Sequence, residues 1–182
     1  MHSRFLLRRD QGSASAEEDP EELPLFEHAA ELYRALGDIG GEAEAVFWVG
    51  CFHQVVRRDN AAAVPILEQS LRLATQAGDK AVMAEALRHL GIAAHGAGRL
   101  EEARQWLEES TRLRREIRLM PGAAANMVGL GYIAAAQERN DDALALFDEA
   151  SAIAVTSQAH RILQQVNEAR AELSDQHSPR AT

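Results

Sequence analysis

Cys51, His53, His89 and His95 carry side chains that can bind metals or act as nucleophiles, and all four fall in predicted first helices. A thiolate and imidazoles on neighbouring helices could bind zinc, or form a pair in which an imidazole activates the thiol. Zinc sites usually place two ligands close together on one helix face, for example at i and i+4, whereas His89 and His95 are six residues apart. The spacing therefore favours hydrogen-bonding roles, and it predicts no metal, no cofactor and no catalytic residue.

Other catalytic patterns also fail. Gly129-Leu130-Gly131 lies inside a predicted helix and does not follow a strand, so it does not satisfy the dinucleotide-binding motif. The sequence shows no phosphate-binding glycine loop, no paired carboxylates and no triad with any specificity. We therefore expect a protein that is not an enzyme.

The composition of the 182 residues indicates an all-α protein, because alanine dominates the 46% apolar share and aromatic residues are only 5%. A net charge of −9 argues against general nucleic-acid binding, which requires a basic surface. The single cysteine excludes a disulfide within the chain and suits a reducing compartment. No apolar run approaches the roughly 18 residues of a membrane span. We expect a cytoplasmic protein without membrane contact.

A block of six residues recurs along the chain at a nearly constant spacing. It begins at Pro24 and returns at Pro65, Gln105 and Ala145, after 41, 40 and 40 residues. The preceding segment carries a glycine at the same register, which gives Gly50, Gly91 and Gly131. Each glycine costs a helix about 1 kcal/mol relative to alanine, so a repeated glycine indicates that a second helix approaches closely there. Ala63, Ala103 and Ala143 are the expected facing contacts.

This pattern resembles the tetratricopeptide repeat, in the variety of about 40 residues that is found in bacterial ATPase-type transcriptional activators and in actinobacterial repeat proteins. The resemblance covers residues 21–158 and is carried by Leu90-Gly91, Leu130-Gly131 and the pairs Ala63/Leu67, Ala103/Leu107 and Ala143/Phe147. Val46, Leu87 and Met127 replace the early tryptophan of the family, and its closing proline is missing. The resemblance implies an all-α right-handed superhelix of antiparallel helix pairs that binds a protein or peptide in a concave groove.

The repeat divides the chain into three regions. Residues 1–20 are expected to form a flexible N-terminal segment, residues 21–175 a repeat domain, and residues 176–182 a polar tail. The repeat domain should contain three full pairs, a leading half-pair and a C-terminal helix. Helices are predicted near 21–37, 41–58, 61–77, 80–97, 100–118, 122–138, 141–156 and 159–174.

The leading half-pair raises a question of association. Leu6-Leu7-Arg8-Arg9-Asp10 echoes Val55-Val56-Arg57-Arg58-Asp59, the end of a first helix, and this is either a trace of an earlier repeat or a coincidence. The helix near 21–37 would then expose an apolar face, to be covered by the N-terminal segment or by another chain. A homodimer through the half-pair is one hypothesis.

The first helix of each pair lines the groove in this family, and the glycine register predicts which side chains face it. They are Glu44, Phe47, Trp48, Cys51, Gln54, Glu85, Arg88, His89, Ile92, His95, Val128 and Tyr132. Trp48 and Phe47 are either groove anchors or core residues packed between helices. Arg88 is the only cation, which argues against the carboxylate clamp of chaperone-binding members.

Two functions fit this surface. The first is a non-enzymatic scaffold or regulatory module that binds a peptide or protein segment in the groove. The alternative is a small-molecule or enzymatic pocket around Trp48, Cys51, Arg88, His89 and His95.

Overall fold

The computed structural model describes residue 19 and residues 21–177, apart from the side chains of residues 176 and 177. What was expected of residues 1–18, 20 and 178–182 lies outside the described residues. The described part forms helices and no strands, which confirms the all-α prediction. The helices are α1 (Glu22–Leu36), α2 (Ile39–Val55), α3 (Asn60–Ala77), α4 (Lys80–Gly96), α5 (Leu100–Glu116), α6 (Met120–Ala136), α7 (Asn140–Thr156) and α8 (His160–His177).

The helices are short and nearly equal in length because a left-handed residue closes each of the first seven. These residues recur every 20 or 21 positions: Gly37, Arg58, Gly78, Gly98, Arg118, Glu138 and Gln158. The carboxylates of Asp38 and Asp59 then begin α2 and α3 by accepting hydrogen bonds from the N–H groups of Gly41 and Ala62. Such tight connections fold consecutive helices back on each other as antiparallel neighbours.

The observed helix bounds lie within three residues of the predicted ones. The segment predicted at 41–58 begins earlier and ends earlier, as Ile39–Val55, because Asp38 is the cap and Arg58 takes the left-handed conformation. The segment predicted at 122–138 shifts in the same way to Met120–Ala136, with Glu138 left-handed beyond its end.

The chain divides into two compact units, Met1–Val82 and Met83–Thr182. In the first unit, α2 packs against both α1 and α3. Leu67 of α3 lies in the notch left by Gly50 of α2, where an added Cβ would come within 2.9 Å of the leucine side chain. The Ser70 hydroxyl donates to the carbonyl of Ala43 at 2.8 Å, which joins the same two helices.

The second unit repeats this packing twice. Leu107 of α5 lies against Gly91 of α4, and Phe147 of α7 lies against Gly131 of α6. The Ser110 hydroxyl donates to the carbonyl of Ala84 at 2.7 Å, in the same register as Ser70 in the first unit. Helix α8 covers the end of this unit, where Val166, Ala169 and Leu173 join the core around Met127 and Phe147.

The nearest side chains opposite the three glycines are larger than the small residues expected there. They are Leu67, Leu107 and Phe147. Ala63, Ala103 and Ala143 are fully buried, and the carbonyl of Ala103 lies 3.4 Å from a Cβ built on Gly91. Glycine therefore matters most where the facing side chain is large, because a Cβ there would clash with it.

Among the described residues, no helix has the length and apolar character that crossing a membrane requires.

Candidate functional site

In the first unit, all five predicted site residues lie on α2, at different depths. Phe47 and Cys51 are buried, with exposed fractions of 2% and 0%, whereas Trp48 and Gln54 are half-buried and Glu44 is exposed. Any ligand on this face would therefore contact Trp48, Glu44 and Gln54, with Phe47 and Cys51 supporting them from below.

Trp48 is held between two other rings. Its indole stacks on the ring of Phe26 from α1, with centroids 6.2 Å apart, and meets the edge of Phe47 at 5.0 Å. The indole N–H points toward the Glu44 carboxylate at 3.4 Å, which is a long hydrogen bond. These contacts restrict the orientation of the indole, and tryptophan anchors supply much of the binding energy at interfaces.

In the second unit, Arg88 is part of a chain of hydrogen bonds that crosses three helices. The Arg88 guanidinium donates to Oδ1 of Asn126 at 2.6 Å, and Nδ2 of Asn126 donates to the Ser110 hydroxyl at 2.8 Å. Ser110 donates in turn to the carbonyl of Ala84. Asn126 is fully buried, so its amide orientation is set by these bonds, and it holds the half-buried Arg88 in one direction.

The repeat provides an internal control for this chain of hydrogen bonds. At the register of Asn126 the other two pairs have Ala45 and Ala86, and at the register of Arg88 they have Phe47 and Val128. The serine at position 110 is shared with position 70, where it makes the same hydrogen bond. The arginine and the asparagine are therefore a local departure from apolar packing, and departures of this kind concentrate at functional sites.

An ion pair in the same unit joins α5 to α4. Arg114 of α5 is buried, and its Nη2 lies 2.8 Å from Oε1 of Glu85 of α4 in an ion pair that lacks hydrogen-bond geometry. Gly122 of α6 provides the space, because a Cβ there would lie 1.9 Å from Nη1 of Arg114. The pair fixes Glu85, a predicted site residue, by its charge, so Glu85 is engaged within the fold.

The remaining predicted residues of this unit also differ in depth. Ile92 is 42% exposed and His95 is exposed, whereas His89 and Val128 are buried. Tyr132 is half-buried, with its ring at 6.0 Å from that of Phe147 in an edge-on contact. Burial raises the pKa of the Tyr132 phenol above its usual value, and the charge and hydrogen bonding of Glu172 raise it further. Tyr132 is therefore an uncharged donor at neutral pH.

Four residues that take part in the hydrogen bonds and the ion pair of the second unit were not among the predicted site residues: Ser110, Arg114, Gly122 and Asn126. The sequence contained a signal for Asn126, namely an amide at a position where the other two repeats have alanine. For Arg114 and Gly122 the signal was a large residue and a glycine at positions where another repeat has Tyr33 and Gly41.

The residues of the alternative pocket are distributed over both units. Trp48 and Cys51 belong to the first, with the thiol fully buried, while Arg88, His89 and His95 belong to the second. Within the described ranges, no group of three His, Cys, Asp or Glu side chains could hold a metal ion. His53 is half-buried, and its Nδ1 is buried without a hydrogen-bond partner.

A cleft of about 280 Å³ in the second unit contains none of the predicted residues. Leu130, Ala145 and Leu146 form its apolar floor. The arginines at its rim are engaged, Arg104 with Glu101 and Glu108, and Arg139 with Asp142. Exposed pairs of this kind contribute little energy, and the cleft is at the small end of ligand pockets.

Antiparallel pairs of about 40 residues with a glycine notch in the first helix define the class of the protein. Residues 55–116 match the family model of the tetratricopeptide repeat. Over these residues the chain matches the tetratricopeptide repeat, which confirms the resemblance stated above.

Several solved structures share the fold. BtubC (BKLC) from P. vanneervenii has a TM-score of 0.70 at 16% identity, over 87% of this chain and 66% of that one. The apo form of RapI has a TM-score of 0.64 at 14% identity, over 92% and 74%. The TPR-like repeats of a putative kinesin light chain from Podosopora anserina give 0.54 at 15%, over 86% and 98%. This chain therefore spans slightly under two thirds of BtubC, and the likeness is one of fold. No curated protein matches it in sequence.

Proposed function

We propose that this chain is a non-enzymatic interaction module that binds a peptide or protein segment on the exposed faces of its first helices, α2, α4 and α6. Tetratricopeptide repeats are generally protein-interaction modules, and that general role holds for this fold. The single buried cysteine suits a reducing compartment, and we expect the module to act in the cytoplasm.

The observation that carries the proposal is the orientation of Arg88 by Asn126. A fully buried asparagine replaces an alanine of the repeat, and both ends of its amide are used to hold one guanidinium on the surface of a first helix. Burying an amide costs free energy unless its groups are hydrogen-bonded, and here each end of the amide has a hydrogen-bond partner. The arrangement pre-orients an arginine, and arginines are frequent hot spots of binding.

The neighbouring side chains suit a mixed apolar and polar ligand. Ile92 lies one helical turn from Arg88 on α4 and is exposed, and His95 follows at the next turn. In the first unit, the stacked Trp48 offers an apolar face next to the exposed carboxylate of Glu44. Each unit therefore has its own anchor, an arginine in one and a tryptophan in the other.

The test begins with the selection of peptides from a display library against the purified chain. We would then measure the affinity of a selected peptide for the Arg88→Gln, Asn126→Ala and Trp48→Ala variants by calorimetry. Arg112→Gln is the matched control, since Arg112 is an exposed arginine on a second helix. We expect Arg88→Gln to weaken binding about tenfold or more and Asn126→Ala to weaken it less, because the guanidinium remains but is no longer held.

The proposal would be overturned if Arg88→Gln and Trp48→Ala both bound the selected peptide as tightly as the unaltered chain. A peptide that lost affinity for Arg112→Gln alone would place binding on the second helices instead.

A further inference from the structure

Helix α8 has the register of a first helix, and it presents a row of acids beside α6. This acidic row consists of Glu168, Glu172 and Asp175, which are all exposed and share one helix face at spacings of four and three residues. Glu168 also accepts a hydrogen bond from Gln164 of its own helix at 2.8 Å. The counterparts of the acidic row on α6, 40 residues earlier, are Val128, Tyr132 and Ala135.

On the other side of α6, the same register positions have a different chemistry. The counterparts of the acidic row on α4 are Arg88, Ile92 and His95. Glu85, which is the acid on this side, is engaged by Arg114 in the ion pair described above. Helix α6 itself contains no acidic or basic residue. The exposed faces of these three helices therefore run from a cation on α4, across an uncharged helix, to three carboxylates on α8.

Helix α6 orients one charged side chain on each side of itself. Its Asn126 accepts from the guanidinium of Arg88 at 2.6 Å, and the phenol of its Tyr132 donates to the carboxylate of Glu172. At the registers of these two residues, α2 and α4 have apolar side chains or a cysteine, namely Ala45, Ala86, Cys51 and Ile92. A charged side chain that is already held in one direction loses less entropy when it binds a ligand. The two charges are thus prepared from one helix, in opposite directions.

We infer that the partner is a peptide segment carrying both signs of charge, with a carboxylate against Arg88 and a lysine or arginine against Glu168 and Glu172. This binding mode rests on the function proposed above, and it adds α8 to the binding surface. Axes of packed helices lie about 8 to 10 Å apart, so α4 and α8 are separated by about 16 to 20 Å. An extended chain covers that distance in about five or six residues. Complementary charges at the two ends also fix the direction in which the segment lies across the helices.

The first test is the sequence content of peptides that a random display library yields against the purified full chain. We expect these peptides to share an acid and a basic residue about four to six positions apart. Against the charge-reversed variant Glu168→Lys/Glu172→Lys, selected peptides should keep the acid and carry a second acid in place of the base. Selected peptides without a basic residue at that spacing would overturn the inference.

The second test measures the affinity of one selected peptide by calorimetry. Glu168→Gln/Glu172→Gln should weaken binding about fivefold or more, and so should replacing the basic residue of the peptide by glutamine. Combining the two changes should add little, because both remove the same contact. Glutamine at position 172 keeps an oxygen that can accept from Tyr132, so the contact between α6 and α8 is preserved.

The matched control is Glu27→Gln/Glu68→Gln, which removes the same charge from exposed positions on α1 and α3. It should change the affinity less than about twofold, because salt screens distant charges. Equal losses in this control and in the α8 variant would overturn the inference, since net charge would then govern binding.

The inference can also fail while the proposed function holds. That result would be a peptide that loses affinity for Arg88→Gln but binds Glu168→Gln/Glu172→Gln as tightly as the unaltered chain. If no selected peptide depends on Arg88 or Trp48, the proposed function itself is wrong, and the binding mode across α4, α6 and α8 is wrong with it.

Discussion

Two glycines of α6 differ sharply in what a side chain would meet. A Cβ at Gly131 would lie 2.2 Å from the ring of Phe147, whereas at Gly129 the nearest atom, on Leu107, is 3.1 Å away. We expect Gly131→Ala to lower the free energy of unfolding by about 1–3 kcal/mol, because a rigid ring must move. Gly129→Ala should stay within about 1 kcal/mol of the unaltered chain, since the gain in helix propensity offsets the closer contact. Urea denaturation measures both.

The repeat supplies a rescue for the first of these substitutions. Leucines occupy the place of Phe147 opposite Gly50 and Gly91. Adding Phe147→Leu to Gly131→Ala should therefore recover part of the lost stability. Equal effects of the two alanine substitutions would show that the notch at Gly131 is not a steric requirement.

A second pair of register positions joins a second helix to the first helix that follows it. From repeat to repeat, the larger residue of this pair changes from one helix to the other. Tyr33 lies against Gly41 and Arg114 against Gly122, where a Cβ on either glycine would clash. The same two positions hold Ala74 with Val82 in another repeat. Volume is thus conserved across the pair while the chemistry changes, which is the condition under which packing tolerates exchange.

This alternation predicts a compensating exchange. Arg114→Ala alone should cost about 2–3 kcal/mol, because it leaves a cavity and removes the ion-pair partner of Glu85. Gly122→Val alone should also destabilise, since the valine meets the guanidinium. The double variant reproduces the Ala74/Val82 arrangement, and we expect its unfolding free energy to lie within about 1 kcal/mol of the unaltered chain. A double-mutant cycle with simply additive losses would contradict the idea.

The residues with a positive φ at the helix ends also affect stability. Gln158, which follows the second helix α7, adopts a φ of 55° without being a glycine, whereas Gly98, which follows the first helix α4, takes a φ of 75°. Asparagine tolerates this conformation better than glutamine does, so Gln158→Asn should raise the free energy of unfolding by roughly 0.5 kcal/mol. Gly98→Ala should lower it by about 1 kcal/mol. Thermal or urea unfolding measures both, and a loss of stability in Gln158→Asn would contradict the strain argument.

These ends also show how far the sequence can predict the elements. Gly37 and Gly78 marked the ends of α1 and α3 correctly, because glycine is the residue that takes a positive φ without strain. The end of α2 was predicted three residues late, since an arginine takes that role and no sequence signal distinguishes Arg58 from Arg57. Periodicity therefore predicts the existence and order of the helices, and glycine predicts their ends where it is used.

The site was predictable to a smaller extent than the fold. The glycine register identifies which residues belong to the first helices, but it does not say how deep each side chain lies. Cys51 and Ile92 occupy the same register, yet Cys51 is fully buried and Ile92 is 42% exposed. Depth depends on the neighbours that each repeat has, and these come from positions 20 to 40 residues away.

At the scale of the whole chain, the repeat architecture predicts that damage stays local. In arrays of repeats, stability is close to a sum of local terms, and each repeat contacts only its neighbours. We expect Gly131→Ala to speed hydrogen exchange in α5 to α8 of the second unit, while exchange in α1 to α3 of the first unit changes little. Gly50→Ala, whose Cβ would meet Leu67, should give the reverse pattern. If either substitution raised exchange equally in all helices, the chain would unfold as one cooperative block, and the additive description of its repeats would be wrong.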